Sequence, residues 1–186
     1  MSHLNISRPG SYSILVRPVN SRVAAIDHLL IGKTTKAPKV GARAFPSPTP
    51  TIASSGGDLH QITTHVPPDT ALLRYSVAAS LAAHAPFVLA FASPAICLNR
   101  TCGPVVDVVE AVRRELHNSR IRFIHVEPFV DNNPGLGFNR FARQWRLPSE
   151  PFLFLVGADG KIKAKFEGSA SIGELARAVS TYLAHP

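Results

Sequence analysis

The order of apolar segments after residue 70 constrains the fold of this chain more than any other feature. Short apolar runs typical of buried strands alternate there with stretches whose apolar residues recur at helical spacing. The predicted strands are residues 87–92, 121–126, 152–156 and 162–166. The predicted helices are residues 76–84, 105–116 and 137–145, and a last helix that begins near Ser171. After the first helix the order is β-α-β-α-β-β-α, which predicts an α/β domain over residues 71–186.

The segment before this domain has a different character. Residues 12–16 and 23–31 have the composition of two short strands, so residues 1–33 are predicted to form a strand pair. Because two strands alone are only marginally stable in water, the pair should lean on the main domain or be the remnant of a larger β-domain upstream. Residues 34–70 are rich in proline, glycine and serine and are predicted to be a flexible linker.

The chain has two cysteines, Cys97 and Cys102, and both lie between the first predicted strand and the helix that follows it. Unpaired backbone N–H groups at a helix start create a positive potential, which stabilises a thiolate relative to a thiol. Two cysteines in 186 residues do not make a disulfide scaffold, and 45% hydrophobic residues suffice for an apolar core. The pair is a redox couple, a structural disulfide or part of a metal site, and thiol–disulfide chemistry is the leading hypothesis.

Three short motifs, in the expected order, resemble those of the thioredoxin family. The Cys-Gly-Pro that starts at Cys102 resembles the beginning of the family's Cys-Gly-Pro-Cys motif. Pro151, ahead of an apolar strand, matches the family's cis-proline, and the Asp-Gly-Lys from Asp159 matches the hairpin between its last two strands. The sequence around these motifs is also similar to that of thioredoxin-like proteins exported by actinobacteria, which carry a Cys-x4-Cys-Gly-Pro motif. The resemblance implies a thioredoxin-like three-layer fold, a central mixed sheet flanked by helices, preceded here by the strand pair and linker.

The chain departs from the family at the cysteine motif, because Val105 stands where thioredoxins have their second cysteine. The available partner of Cys102 is Cys97. On a continuous helix, residues with that spacing are separated by about 7.5 Å along the axis, beyond the roughly 7 Å between Cα atoms that a disulfide allows. A bond therefore requires Cys97 in the loop and a helix that begins near Cys102. Because so small a ring adds little stability, this pairing favours a redox role over a structural one.

The resemblance also implies roles for individual residues. Cys102, at the helix start, is the expected nucleophile and Cys97 its resolving partner. In the family, the loop before the cis-proline faces the cysteines and offers backbone groups to an extended substrate, which makes Pro151 the third predicted site residue. Glu150 would lie beside the pair, where a carboxylate opposes ionisation of a nearby thiol. The expected partners are protein or small-molecule thiols and disulfides, and no cofactor or metal ion is expected.

Two other functions remain open at this stage. A stable disulfide could shape a binding surface in a non-catalytic module, with Pro151 lining a groove. Copper chaperones of the Sco type use two cysteines and a distant histidine on this fold, and His125 invites that interpretation, although a histidine in an apolar strand is more often a hydrogen-bonded core residue. His60 and His65, in the predicted linker, are expected to be exposed. Trp145 is expected to pack in the core.

Charge and hydropathy limit the remaining function classes. The net charge of +8 is spread along the chain without a basic block, so nucleic acid is not an expected partner. No apolar stretch reaches the roughly 18 to 20 residues of a membrane span, and no signal peptide is visible. A persistent disulfide requires an oxidising compartment, and the similar proteins are exported. An extracytoplasmic location is therefore predicted, with any export signal upstream of this sequence.

Overall fold

A computed structural model describes residues 6, 8–20, 22–32, 34–95, 102–116 and 120–184, apart from the side chains of residues 25, 27–30, 102 and 103. The chain divides into two compact units, Met1–Thr35 and Lys36–Pro186. In the first unit, β1 (Gly10–Val16) pairs antiparallel with β2 (Ala25–Ile31). Both strands that the sequence predicts in this segment are therefore present.

The second unit is built on a mixed sheet, which has four strands in the part of the chain that the structure describes. The strands are β3 (Phe87–Phe91), β4 (Arg122–Val126), β5 (Phe152–Val156) and β6 (Ile162–Glu167). The helices are α1 (Val77–Ala82), α2 (Cys102–Leu116), α3 (Arg140–Gln144) and α4 (Ile172–Tyr182). The strand order is β4-β3-β5-β6, with β3 and β4 parallel and the other neighbours antiparallel. The predicted α/β class, with a central mixed sheet flanked by helices, is confirmed.

The sheet separates two apolar layers. β3 and β5 are buried along their whole length, because helices cover both faces of the sheet. One layer contains Trp145 and Phe141, packed against the sheet as the sequence predicts. The other layer joins α2 and α4 to the opposite face through residues such as Val109 and Val179. The continuous apolar runs in the sequence therefore correspond to the two central strands.

The helices begin where polar side chains satisfy their first N–H groups. Ser171 and Glu174 form a capping box at the start of α4. The Asn139 side chain accepts from the N–H groups of Phe141 and Ala142, so α3 begins at Arg140 rather than at the predicted residue 137. No helix among the described residues has both the length and the apolar character that crossing a bilayer requires.

The prediction of a flexible linker at residues 34–70 is wrong. From Lys36 onward these residues belong to the second compact unit. The N–H of Gly41 donates to the carbonyl oxygen of Ile162 at 2.8 Å, which ties the segment to β6. Ser47 is fully buried, and its hydroxyl oxygen accepts from the indole N–H of Trp145 at 3.0 Å. The main domain therefore starts well before the predicted boundary.

Candidate functional site

The helix that carries the cysteine motif begins at Cys102, before the predicted residue 105 and at the position that a bond between the two cysteines requires. Val105 and Val109 are buried and pack α2 against the sheet, which fixes the position of its first turn. The backbone at Cys102 lies at the positive end of a 15-residue helix. Cys97 lies outside the described residues, and so does the Cys102 side chain. The cysteine pairing therefore stays a prediction.

The loop before β5 runs beside the end of β3. These strands pair antiparallel with Phe91 opposite Phe152. Continuing that register by two residues along each strand brings Ser93 opposite Glu150. The Glu150–Pro151 peptide bond is cis, as predicted. This loop therefore lies opposite the segment that follows β3 in the register of the sheet.

A cluster of buried polar side chains lies at this end of the sheet. Glu127 directly follows β4 and is 5% exposed. One of its carboxylate oxygens, Oε1, accepts from the backbone N–H of Thr64 at 2.6 Å and from the Thr64 hydroxyl at 2.8 Å. The other, Oε2, accepts from the hydroxyl of the fully buried Ser93 at 2.9 Å. Three hydrogen-bond donors therefore converge on this one buried carboxyl group.

Glu150 is less buried than Glu127. Burial raises the pKa of Glu150 to about 7; the hydrogen bond from the Ser93 backbone opposes this rise and the charge of Glu127 adds to it. Its Oε2 atom is buried and has no hydrogen-bond partner among the described residues. A pKa of about 7 leaves part of Glu150 protonated at pH 7. Its effect on the cysteines stays a prediction.

His125 is a hydrogen-bonded core residue, as the sequence analysis favours. It is 3% exposed, with Nε2 2.9 Å from the carbonyl oxygen of Ala92 and Nδ1 3.4 Å from the hydroxyl of Thr63. Burial lowers the pKa of His125, and the charge of Glu127 opposes this effect only in part. The neutral ring donates through Nε2 and accepts at Nδ1, so both nitrogens are occupied within the fold.

His60 is exposed as predicted, but His65 is not: its side chain is 9% exposed. The Nε2 atom of His65 lies 2.9 Å from Asp107 Oδ1, and its Nδ1 is buried without a partner among the described residues. Donor atoms of His65, Asp107 and Glu110 lie within 4.8 Å of one another, a spacing that one metal ion could bridge. Because Glu110 also pairs with Arg114, a surface ion-pair network explains the group equally well, and we assign no metal to it.

Clefts border the sheet at both of its ends. One cleft of about 260 Å³ is lined by His125, Glu127 and Asn139, so it reaches the polar cluster. A larger cleft of about 720 Å³ is lined by Pro86 and Arg122, at the ends where β3 and β4 begin. The cysteines follow the opposite end of β3, so the larger cleft is separate from the candidate thiol site.

Sequence reasoning did not identify Ser93 and Glu127 as site residues. A signal for them exists, because each polar residue closely follows a continuous apolar strand, β3 or β4. Those strands are parallel neighbours, and the carboxyl ends of parallel strands meet at one edge of a sheet. The sequence alone does not reveal that Thr64, in the supposed linker, supplies two of the donors.

Comparisons with known proteins give a limited result. No family model matches the chain, and no curated protein matches it. Among solved structures it is similar to a chloroplastic thioredoxin z, with a TM-score of 0.43 and 16% identity over 55% of this chain and 82% of that one. It is also similar to a cysteine-to-serine mutant of an Entamoeba histolytica thioredoxin, with a TM-score of 0.41 and 19% identity over 55% of this chain and 87% of that one.

Proposed function

We propose that this chain carries out thiol–disulfide exchange through Cys97 and Cys102, with Cys102 as the nucleophile. One observation carries the proposal. Helix α2, which begins at Cys102, packs against β3 in one apolar layer, and the cis bond to Pro151 lies opposite the end of β3 in the register of the sheet. A helix start favours a thiolate, and an exposed loop beside it offers backbone groups to an extended substrate.

The reaction needs no cofactor. The Cys102 thiolate attacks one sulfur of a disulfide substrate, so that a mixed disulfide forms and the other substrate sulfur leaves as a thiolate. The Cys97 thiolate then attacks Cys102 in the mixed disulfide and releases the second substrate sulfur. The cysteine pair is oxidised by two electrons and the substrate is reduced to two thiols. In the opposite direction the same steps oxidise a dithiol.

The proposed substrates are extended segments of proteins, or small thiols and disulfides, that reach the loop at Pro151. Pro151 itself is buried, so recognition would fall to the backbone of the neighbouring loop residues. We also propose an extracytoplasmic location, since a pair that cycles through a disulfide works where oxidised thiols persist.

A redox titration tests this function. The purified chain is equilibrated in glutathione and in dithiothreitol buffers, quenched and alkylated, and the mass shift is read for both cysteines. We expect a reversible two-electron transition between about −120 and −270 mV, the range of known exchange catalysts. A disulfide that resists reduction far below this range would overturn the proposal in favour of a non-catalytic module. Stoichiometric binding of Cu(I) by both thiolates without exchange would favour the copper alternative.

Two matched variants test the roles of the cysteines. Cys102→Ser should abolish reaction with a disulfide probe, because the nucleophile is gone. Cys97→Ser should still react but stop at the mixed disulfide, which mass spectrometry detects as a stable adduct. If Cys97→Ser loses the reaction and Cys102→Ser accumulates the adduct, the roles are reversed.

A further inference from the structure

The larger cleft, at the end of the sheet where β3 and β4 begin, plays no part in the proposed thiol chemistry. Its walls also include the turn between β5 and β6 and the end of α4. Its volume of about 720 Å³ falls within the range of about 300–1,000 Å³ that is typical of small-molecule sites. The chemistry of its lining therefore indicates what kind of molecule would fit it.

Two exposed tyrosines line this cleft from different parts of the chain. Tyr75, in the segment before α1, is 38% exposed, and Tyr182, the last residue of α4, is 47% exposed. Every other aromatic side chain in the described part of the chain is buried or half-buried. Exposed aromatic side chains are enriched at binding surfaces, where they provide a large and rigid contact area. Their concentration at one cleft favours a ligand with a planar, apolar part.

Arg122, the first residue of β4, is held in a fixed position in the lining. Its guanidinium carbon lies 4.3 Å from the centroid of the Tyr75 ring. Its Nη1 atom donates to the carbonyl oxygen of Ala79 at 3.1 Å and to the hydroxyl of Ser80 at 3.3 Å. Among the described residues its Nε and Nη2 atoms have no hydrogen-bond partner, and no carboxylate pairs with it. The guanidinium edge that carries Nε and Nη2 is therefore available to a ligand.

Arg113 shows in the same domain what such an edge binds. Its Nε and Nη2 atoms donate to Oδ2 of Asp69, at 3.2 and 2.9 Å. The planar fork of a guanidinium matches the geometry of carboxylate and phosphate groups. Arg122 has the same edge without a carboxylate, so the group that would complete it is an oxyanion.

The charge of the lining also favours an anion. Asp159 is the one carboxylate among the described lining residues, and it pairs with Lys163 at 2.8 Å. A Cβ atom at Gly157 would lie 2.5 Å from Cε of Lys163, so the glycine leaves room for the lysine side chain. Because Asp159 and Lys163 balance each other, the positive charge of Arg122 remains uncompensated within the described lining.

The end of α4 is the feature that opposes an anion. Tyr182, Leu183 and Ala184 line the cleft, and the last carbonyl groups of a helix carry a partial negative charge. That effect acts within one turn and is screened by salt, whereas charge-assisted hydrogen bonds to a guanidinium fork are among the strongest in proteins. The oxyanion is therefore expected at Arg122, on β4, and the planar part of the ligand at Tyr182, on α4.

We propose that this cleft binds a small planar molecule that carries a terminal oxyanion, either a phosphate or a carboxylate. The oxyanion accepts hydrogen bonds from Nε and Nη2 of Arg122, and the planar part packs against the exposed tyrosine rings. The site involves no covalent step and is independent of the thiol chemistry proposed for the other end of the sheet.

An NMR titration of the arginine side-chain N–H groups tests this site directly. The ¹⁵N-labelled full chain is titrated with adenosine 5′-monophosphate and, separately, with 2-naphthoate, which carries a carboxylate instead of a phosphate. Adenosine and inorganic phosphate, which each supply one part alone, are the control ligands. We expect a saturable shift of the Arg122 Nε–H resonance with the nucleotide, with naphthoate or with both. The Nε–H of Arg113, already bonded to Asp69, should not shift.

The probes also identify the oxyanion. Tighter binding of the nucleotide would assign a phosphate, and tighter binding of naphthoate would assign a carboxylate. No saturable shift of the Arg122 resonance with either probe at millimolar concentration overturns the site. Inorganic phosphate that binds as tightly as the nucleotide would overturn the role of the planar part.

Two matched variants separate this site from general attraction by a basic protein. Arg122→Gln should weaken binding of the tighter probe by about tenfold or more, because the charged fork is lost. Arg177→Gln removes the same charge from an exposed position on α4 outside the lining, and should change the affinity by less than about twofold. Equal losses in the two variants would overturn the site.

Two milder variants serve if Arg122→Gln does not fold. Arg122→Lys keeps the charge but not the fork, and should still weaken binding of the tighter probe. Tyr182→Ala, at an exposed ring, should weaken that binding by about fivefold or more and leave the binding of inorganic phosphate unchanged. Unchanged affinity for the tighter probe in both variants overturns the proposal.

Discussion

The cluster around Trp145 and the cluster around Glu127 are both buried in the same domain, yet they are built differently. Trp145 is fully buried, with its ring centroid 4.7 Å from that of Phe154 and 5.8 Å from those of Phe91 and Phe45. Its one polar atom has a neutral acceptor, the Ser47 hydroxyl. Glu127 is nearly as buried but brings a charge, which three donors compensate.

The difference distinguishes a region that contributes stability from one that contains a titratable group. Aromatic packing gains free energy from burial and does not change with pH. A buried carboxylate brings no such gain. It loses its hydration, and its hydrogen bonds within the protein at best offset the free-energy cost of that loss. At this end of the sheet the fold keeps Glu150, a carboxyl group whose raised pKa allows its protonation to change near neutral pH. Such groups are typical of functional sites.

The largest expected effect is in the aromatic cluster. Trp145→Ala should lower the free energy of unfolding by about 3–5 kcal/mol, because it leaves a large cavity against three aromatic rings. Urea denaturation followed by circular dichroism measures it. The matched control is Tyr182→Ala, whose ring is 47% exposed and should change stability by less than about 1 kcal/mol. A loss below about 1 kcal/mol for Trp145→Ala would mean that this cluster does not hold the domain together.

A smaller loss is expected in the polar cluster. Glu127→Ala leaves the N–H and hydroxyl of Thr64 and the hydroxyl of Ser93 without their acceptor, and should lower the free energy of unfolding by about 2–3 kcal/mol at neutral pH. The exposed Glu115→Ala is the control. Unlike the tryptophan variant, Glu127→Ala should also change the titration of Glu150. Equal stability of the native chain and this variant would show that the cluster is not satisfied as described.

The sequence predicts the regular part of the domain well, since that part depends on local patterns. The apolar runs that become β3 and β5 are buried throughout, and the helix predicted to begin near Ser171 has its N-cap at that residue. The start of α2 at Cys102 follows from the same kind of local signal, a Gly-Pro pair at a helix start.

The remaining features depend on partners far apart in the sequence. Proline-rich composition made residues 34–70 look like a linker, but Ser47 bonds Trp145, 98 residues away, and Thr64 bonds Glu127, 63 residues away. Neither contact leaves a local pattern. Ser93 and Glu127 were missed as site residues for the same reason, because their significance comes from the pairing of β3 with both neighbours.

Ser47→Ala tests whether the hydrogen bonds of the aromatic cluster contribute a stability that does not depend on pH. The Ser47 hydroxyl accepts from Trp145 Nε1 at 3.0 Å and donates to Gln144 Oε1 at 2.7 Å. Its removal leaves the buried indole N–H unsatisfied and should lower the free energy of unfolding by about 1–2 kcal/mol. Because no ionisable group is involved, the loss measured by urea denaturation should be the same in acid and at neutral pH. A loss that varies with pH would remove the distinction between the two clusters.

The smallest expected effect is the one that depends on pH. Burial raises the pKa of Glu150 from 4.5 to about 7, so the folded chain holds a proton that the unfolded chain has released. The resulting stability is fully present below pH 4.5 and is lost as the pH rises through about 7. The whole displacement of the pKa corresponds to about 3 kcal/mol, but Glu150 is only partly buried, and we expect about 1 kcal/mol after solvent screening. Glu150→Gln should therefore match the native chain in acid and exceed its stability by about that amount above neutral pH.

Urea denaturation across this pH range, with Glu115→Gln as the exposed control, isolates the effect. His125 contributes with the opposite sign, because its pKa is lowered and its stabilisation is lost as the pH falls below 6.5. That contribution is common to the native chain and the variant, so it cancels in their difference. A difference between Glu150→Gln and the native chain that stays constant with pH would mean that Glu150 ionises alike in the folded and unfolded states. The polar cluster would then be as indifferent to pH as the aromatic one.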